Sequence, residues 1–267
     1  MPYRVDLVDA HRDADAVFDR LIELGALDVE HVPPRGIAAL MPDSIAPDAI
    51  AKALGERRIS ISPAVGRDDD SVWVLSPRPI RVGRVRIVPA PIATEPGAIA
   101  LIDGPAFGTG LHPTTMLCLE AVDDALQVTM PDAVLDVGTG SGVLALAALI
   151  LGVPHAIGID LAPDALHVAR TNAGVNGLGA RLHLVCGGPD ALAASFPLVL
   201  ANLQAAPLIE IAGHLVRRVG HHGHLVLSGI PLGVDGDVDR AYRRLGMRRV
   251  DDKARGGWVA QVFQASW

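Results

Sequence analysis

The 267-residue chain is half hydrophobic, 20% charged and carries a net charge of −7, which describes a globular protein with a sizeable core and room for one large domain or a large and a small one. The acidic balance, with no Lys/Arg run, argues against nucleic acid as a direct ligand. The longest apolar run, residues 143–153, is too short to cross a bilayer, and charges early in "MPYRVDLVDAHRD" argue against a signal peptide, so a cytoplasmic protein without a membrane partner is expected.

Aromatic residues make up only 3%, so the core must be built from Ala, Val, Leu and Ile. Cys118 and Cys186 fit no metal or disulfide spacing and read as buried, reduced core residues. Residues 3–8 read as a strand, and residues 13–26 place Val17, Leu21 and Leu24 at helical spacing and stop at Gly25. "DVEHV" (28–32) and "GIAALM" (36–41) read as strands joined by the turn "PPRG". "APDAIAKALG" (46–55) reads as a short helix with Pro47 early in it, and "RISISPAV" (58–65) as a strand. The order β-α-β-β-α-β predicts a small N-terminal ferredoxin-like α+β domain over residues 1–65. A charge cluster and two prolines mark a linker from residue 66, extended to residue 90.

Strands over 84–91 and 98–103 lead into the glycine-rich stretch "AFGTGLHPTT" (106–115). Helix and strand then alternate. Helices are expected over 116–126, 142–151, 163–177 and 206–219. Strands are expected over 133–138, 156–160, 181–187, 198–203 and 224–230, with a last one within 256–264. That pattern predicts an α/β fold over residues 91–267, a doubly wound Rossmann-like sheet with an antiparallel edge at its β-rich end.

"VLDVGTGSG" (134–142) sits where a strand runs into a helix. Gly138, Gly140 and Gly142 permit a tight turn and close approach to a ligand, and the helix from Val143 directs free N–H groups at it. Asp160, at the end of the next strand, can accept hydrogen bonds from both ribose hydroxyls. Val143 stands where a nicotinamide fingerprint has its third glycine. Asp136 would repel a pyrophosphate but could hold an ammonium group. S-adenosylmethionine, with an amino-acid end and no phosphate, fits these features better than a nicotinamide. A nicotinamide cofactor and a purely structural turn remain as alternatives. Asn202 ends a strand at the sheet's carboxyl edge, where it can accept from an incoming amine and donate to the cofactor; its other use is as a helix cap.

In this order and spacing, "AFGTGLHPTT", "VLDVGTGSGVLALAAL", "AIGIDLAPDAL…ARTNAGVNG", "VLANLQAAPL" and "LSGI" resemble the ribosomal protein L11 methyltransferases, over about residues 80–265. The resemblance implies a substrate-recognition domain, a linker and an S-adenosylmethionine-dependent methyltransferase domain over 1–65, 66–90 and 91–267. It implies methylation of lysine side chains and the N-terminal amine of a protein partner, ribosomal protein L11. By motif position it carries the family's cofactor contacts onto Thr115, Gly138, Asp160 and Asn202. The sequence departs from the family at "DGP" (103–105), where the order aspartate-proline-glycine is usual, at "NLQAAPL", and in a linker that keeps only Trp73. Methylation of a different protein or a small amine, a nicotinamide oxidoreductase and a non-catalytic binding module are the alternatives.

The expected reaction is in-line displacement of a sulfonium methyl by a neutral amine, with no metal. Asn202 is the candidate for orienting that amine, and His112 reads as a structural donor rather than a base. "AFGTGLHPTT" then becomes a second wall of one site. Phe107 and the 108–110 turn lie over the cofactor, and Thr115 begins the next helix and bonds to the methionine end. Thr114 or Thr115 acting only as a helix cap is the plain alternative. Asp136 and Gly140 complete the cofactor set. "HHGH" (221–224) reads as a polar turn ahead of a strand rather than a metal site.

Overall fold

The structure is a computed structural model that describes residues 1–7, 13–33, 36–55, 57–68, 72–91, 97–104 and 106–267. It divides into two units, Met1–Pro77 and Arg78–Trp267. The first contains β1 (Tyr3–Leu7), α1 (Ala14–Glu23), β2 (Asp28–Val32), β3 (Gly36–Met41), α2 (Pro47–Leu54) and β4 (Ile59–Pro63). Its antiparallel sheet has the order β2-β3-β1-β4, the ferredoxin-like arrangement the element order predicts. Two periodicities build its core. Tyr3, Val5 and Leu7 alternate along β1, as do Ile37, Ala39 and Met41 along β3. Val17 and Leu21, and Ile50 and Leu54, lie one helical turn apart and pack against them. In the "PPRG" turn, Pro34 and Arg35 lie outside the described residues.

The expected linker, 66–90, is divided between the two units. The Leu75 N–H donates to Asp28 Oδ2 at 2.9 Å, and the Ser76 hydroxyl to Glu30 Oε1 at 2.6 Å. These bonds tie the segment to β2 and give it a place in the first unit. Residues from 78 onward enter the second unit through β5 (Ile80–Val82), which was expected to be linker, β6 (Val85–Pro89) and β7 (Ala98–Leu101). These form a small sheet with β6 in the middle.

Beyond α3 (Pro113–Val128) the chain alternates β8 (Ala133–Val137), α4 (Val143–Ile150), β9 (His155–Asp160), α5 (Pro163–Val175), β10 (Leu182–Cys186) and β11 (Phe196–Asn202). It continues through α6 (Ala205–Glu210), α7 (Ala212–Val216), β12 (Val219–Pro231), α8 (Asp235–Arg244), β13 (Met247–Arg255) and β14 (Trp258–Ala265). The large sheet runs β10-β9-β8-β11-β12-β14-β13. Its first five strands are parallel, and β14 is antiparallel to both its neighbours. Strand order reverses between β8 and β11, the place where sheets of this kind take a ligand, at the carboxyl ends of the strands. Val134, Leu198, Leu200 and Val226 enter the core beneath α3 and α4, while Leu135, Val199, Leu225 and Leu227 enter the core beneath α6, α7 and α8. Burial on both faces is why these strands read as unbroken apolar runs.

Several expectations change. The antiparallel edge at the β-rich end is present, with one more strand than expected: β13 lies outside β14. The helix expected over 206–219 is two helices that meet at Ile211. "HHGH" lies inside β12 rather than before it, with His222 at φ 54° where the pairing with β11 is irregular. Cys118 is buried, but Cys186 is exposed because it ends β10, the outermost strand. No described helix is long and apolar enough to cross a membrane.

Candidate active site

The glycine loop follows β8. Gly138, Gly140 and Gly142 all have positive φ, at 70°, 54° and 81°. At Gly140 the need is also spatial, since an added Cβ would lie 2.6 Å from the Phe107 carbonyl oxygen. The Gly140 N–H donates to Asp160 Oδ2 at 3.0 Å, and the Ala162 N–H donates to Oδ1 at 2.9 Å. Two backbone donors therefore fix the Asp160 carboxylate at the end of β9, and each oxygen keeps a further lone pair for a diol.

Asp136 lies at the other end of the loop and is wholly buried. Its Oδ2 accepts from the Thr139 hydroxyl at 2.7 Å and the Ala145 N–H at 3.3 Å, while Oδ1 has no partner. Burial pushes the carboxyl up to about 6, and the nearby Asp160 charge adds to that, against the opposing pull of the two donors. The helix start is not the free donor array the sequence suggests. The Val143 N–H is taken by Ser141 Oγ at 3.3 Å and the Ala145 N–H by Asp136. A buried helix end needs such partners.

The stretch 106–115 is docked onto this loop. The Ser141 N–H donates to the Phe107 carbonyl at 2.9 Å, and the Ser141 hydroxyl to the Gly108 carbonyl at 2.7 Å. The two glycine loops thus form one surface, with the Phe107 ring half-buried at its border. His112 is the N-cap of α3. Its Nδ1 accepts from the Thr114 N–H at 3.3 Å, with the Thr114 hydroxyl 2.7 Å away. At that atom His112 is an acceptor, not a donor, and it takes the cap expected of Thr114 or Thr115. Its ring meets Phe107 and Trp258 edge-on, at centroid distances of 5.4 and 5.2 Å.

Thr115 sits fully buried in the first turn of α3, and the Asn202 amide donates to its Oγ1 at 3.4 Å. Asn202 is not a cap, because α6 begins at Ala205 with Gln204 as its N-cap. The structure brings Phe107, Thr115, Asp136, Gly138, Gly140, Asp160 and Asn202 to the carboxyl ends of β8, β9 and β11. Among the described residues, no three His, Cys, Asp or Glu are grouped to hold a metal ion.

Sequence reasoning missed the supports. Asn172, fully buried on α5, donates to the Ser141 carbonyl at 2.9 Å and accepts from the Ile102 N–H at 2.9 Å. Asn176, one turn on, bonds both the N–H and the carbonyl of Ala100, at 2.8 and 2.7 Å. Together they act as a strand edge for β7. Their spacing of four residues on one helix face was the available signal.

The residues present fit a ligand with an ammonium group and a ribose. The unpartnered Asp136 Oδ1 suits the cation and the preset Asp160 carboxylate suits the diol, while Gly140 lets the Phe107 backbone close against the loop. With the doubly wound sheet and its inserted antiparallel strand, this defines an S-adenosylmethionine-dependent methyltransferase.

Comparison with known proteins narrows the class. The profile of the family described as "Ribosomal protein L11 methyltransferase (PrmA)" matches residues 47–266, and the chain belongs to that family. A ribosomal protein L11 methyltransferase of Geobacter sulfurreducens is 42% identical over 207 residues, covering 74% of this chain and 67% of the relative. One from Geobacter metallireducens is 34% identical over 258 residues, covering 94% and 79%. The crystal structure of a ribosomal protein L11 methylase from Lactobacillus delbrueckii subsp. bulgaricus superposes with a TM-score of 0.63 at 27% identity, covering 70% of this chain and 97% of that one.

Proposed function

We propose that this methyltransferase acts on amino groups of ribosomal protein L11, at lysine side chains and the N-terminal amine. Family membership supports the substrate, and the buried, unpartnered Asp136 Oδ1 is the observation that carries the cofactor reading. Asp136 receives the cofactor's ammonium, Asp160 its ribose hydroxyls, Gly138 and Gly140 give it close backbone contact, and Thr115 and Phe107 close its other side. Bound there, S-adenosylmethionine supplies an electrophilic methyl group on a sulfonium.

The chain's own task is alignment. A free lysine has a pKa near ~10.4, so about one in 2,500 is neutral at pH 7. Burial and a neighbouring positive charge both favour the neutral form. Asn202 holds that amine through its side-chain carbonyl while its amide N–H₂ is anchored on Thr115. No described group is needed as a base while the amine arrives neutral.

The N-terminal unit recognises the protein. Residues 1–77 contain 14 Asp/Glu and 8 Lys/Arg, a net charge of −6, whereas the remainder carries −1. An acidic module of this kind suits a basic partner. A ribosomal protein substrate fits a reaction in the cytoplasm. The test is incubation with labelled S-adenosylmethionine and ribosomal proteins, followed by mass spectrometry. Label on L11 is expected, and label only on other proteins would overturn the substrate while keeping the enzyme class. Thr115→Ala is expected to weaken cofactor binding more than it lowers the melting temperature; the reverse would reduce Thr115 to a structural role.

A further inference from the structure

Ser228, in the "LSGI" segment, has no place in the site described so far. It is fully buried near the end of β12, and its register partner across the sheet is Asn202. The Ser228 hydroxyl donates to the Thr114 carbonyl at 3.0 Å, although 114 residues separate them. On its other side the hydroxyl meets the Cys118 thiol, which burial holds firmly in the protonated form, leaving it a weak donor. Thr114 adjoins Thr115, and Thr115 Oγ1 anchors the Asn202 amide at 3.4 Å.

The contacts close a ring from Asn202 across the sheet to Ser228, over to Thr114, along the helix to Thr115 and back to Asn202. Its weakest member is the bond to Asn202, near the outer limit of a hydrogen bond. A shift of a few tenths of an ångström in the first turn of α3 breaks it. The hydroxyl bridges the two elements, so its contribution is to set the height of that turn above β12.

The geometry points to Ser228 as a positioning residue: by fixing the first turn of α3 it holds the Asn202 amide in the orientation that presents its carbonyl to the acceptor amine. This rests on the orienting role proposed for Asn202. Without the Ser228 hydroxyl, Asn202 turns more freely and fewer bound amines are aligned, so turnover suffers more than binding.

The test is a double-mutant cycle on the full chain, with kcat and both KM values measured for methylation of L11. Ser228→Ala is expected to lower kcat about tenfold with each KM within about twofold. In the Asn202→Ala background the same substitution is expected to change kcat less than about twofold, because the group it positions is gone. If Asn202→Ala leaves kcat unchanged, the orienting role of Asn202 fails and this inference falls with it. If Asn202→Ala lowers kcat but Ser228→Ala lowers it by the same factor in both backgrounds, or not at all, the positioning role alone is overturned. Ser228→Cys, somewhat larger and only a weak donor, carries the same cycle should the alanine variant be unstable.

Discussion

Asp136 carries two consequences of one burial. Its carboxyl is raised from 3.8 to about 6, chiefly by desolvation. The folded chain therefore binds a proton more tightly than the unfolded chain, and stability falls as pH rises through that window. Above it the ionised group costs about 3 kcal/mol, at 1.36 kcal/mol per pKa unit. An ammonium against Oδ1 favours the ionised form instead. Cofactor affinity is thus expected to fall by roughly tenfold per pH unit below about pH 6. Calorimetry from pH 5 to 8 checks this, and Asp136→Asn should bind weakly with little dependence on pH. Gly140→Ala forces a left-handed alanine, costing about 1–2 kcal/mol, and drives a Cβ into the Phe107 carbonyl. It should lose cofactor binding and melt earlier, as a thermal shift with and without ligand would report. The placement of Gly138, Asp160 and Asn202 at strand ends was legible because strand ends and glycine spacing mark positions. Thr139, Ser141 and Ser228 were not, because a hydroxyl has many local uses and its partner is set only by the tertiary fold.

Elements were legible in proportion to how well burial wrote a period into them. β8, β11 and α4 are apolar on every side that matters and stand out. α8 was missed because it is mostly polar, with only Val238 and Tyr242 buried, and it carries Gly236. β13 was missed because "MRRVDDKAR" is mostly charged, as suits an edge strand that must not pair further. Yet this hairpin holds α3: Lys253 pairs with Asp124 at 2.6 Å and Arg255 with Glu120 at 2.5 Å. The asparagine pair on α5 gives a sharper test. Asn172→Ala strands the buried Ser141 carbonyl, at about 1–3 kcal/mol, and also removes the acceptor of the partly buried Ile102 N–H. Urea denaturation should record a loss in that range. Asn176→Ala, partly exposed, should cost less because water can replace it.

Across the whole chain, charge is divided as unevenly as fold. The net −6 of residues 1–77 includes Asp15, Asp19 and Glu23 at four-residue spacing along α1, an arrangement that costs helix stability by like-charge repulsion. A basic partner relieves it. The KM for the protein substrate should therefore rise several-fold between low salt and 0.5 M, as screening shortens to a few ångströms. The affinity for S-adenosylmethionine, measured alone, should change far less. Equal salt sensitivity of the two would place the electrostatics at the cofactor instead. The two-unit plan was legible from element order. The boundary near residue 77 was not, because the polar segment that follows β4 is tied down by Asp28 and Glu30 on β2, a pairing no local pattern predicts.

The position of β14 has a consequence for synthesis. It is made after β12 and β13, yet it lies between them. While the chain emerges, β12 has a bare edge and β13 has no neighbour to pair with. The ion pairs from β13 to α3, and the Trp258 ring against His112, also wait for that strand. Catalytic competence is therefore expected only once translation has passed Ala265 and β14 has threaded into its slot. A chain stopped at Arg255 should aggregate through the open β12 edge and fail to bind cofactor, which a spin-down assay and calorimetry would detect.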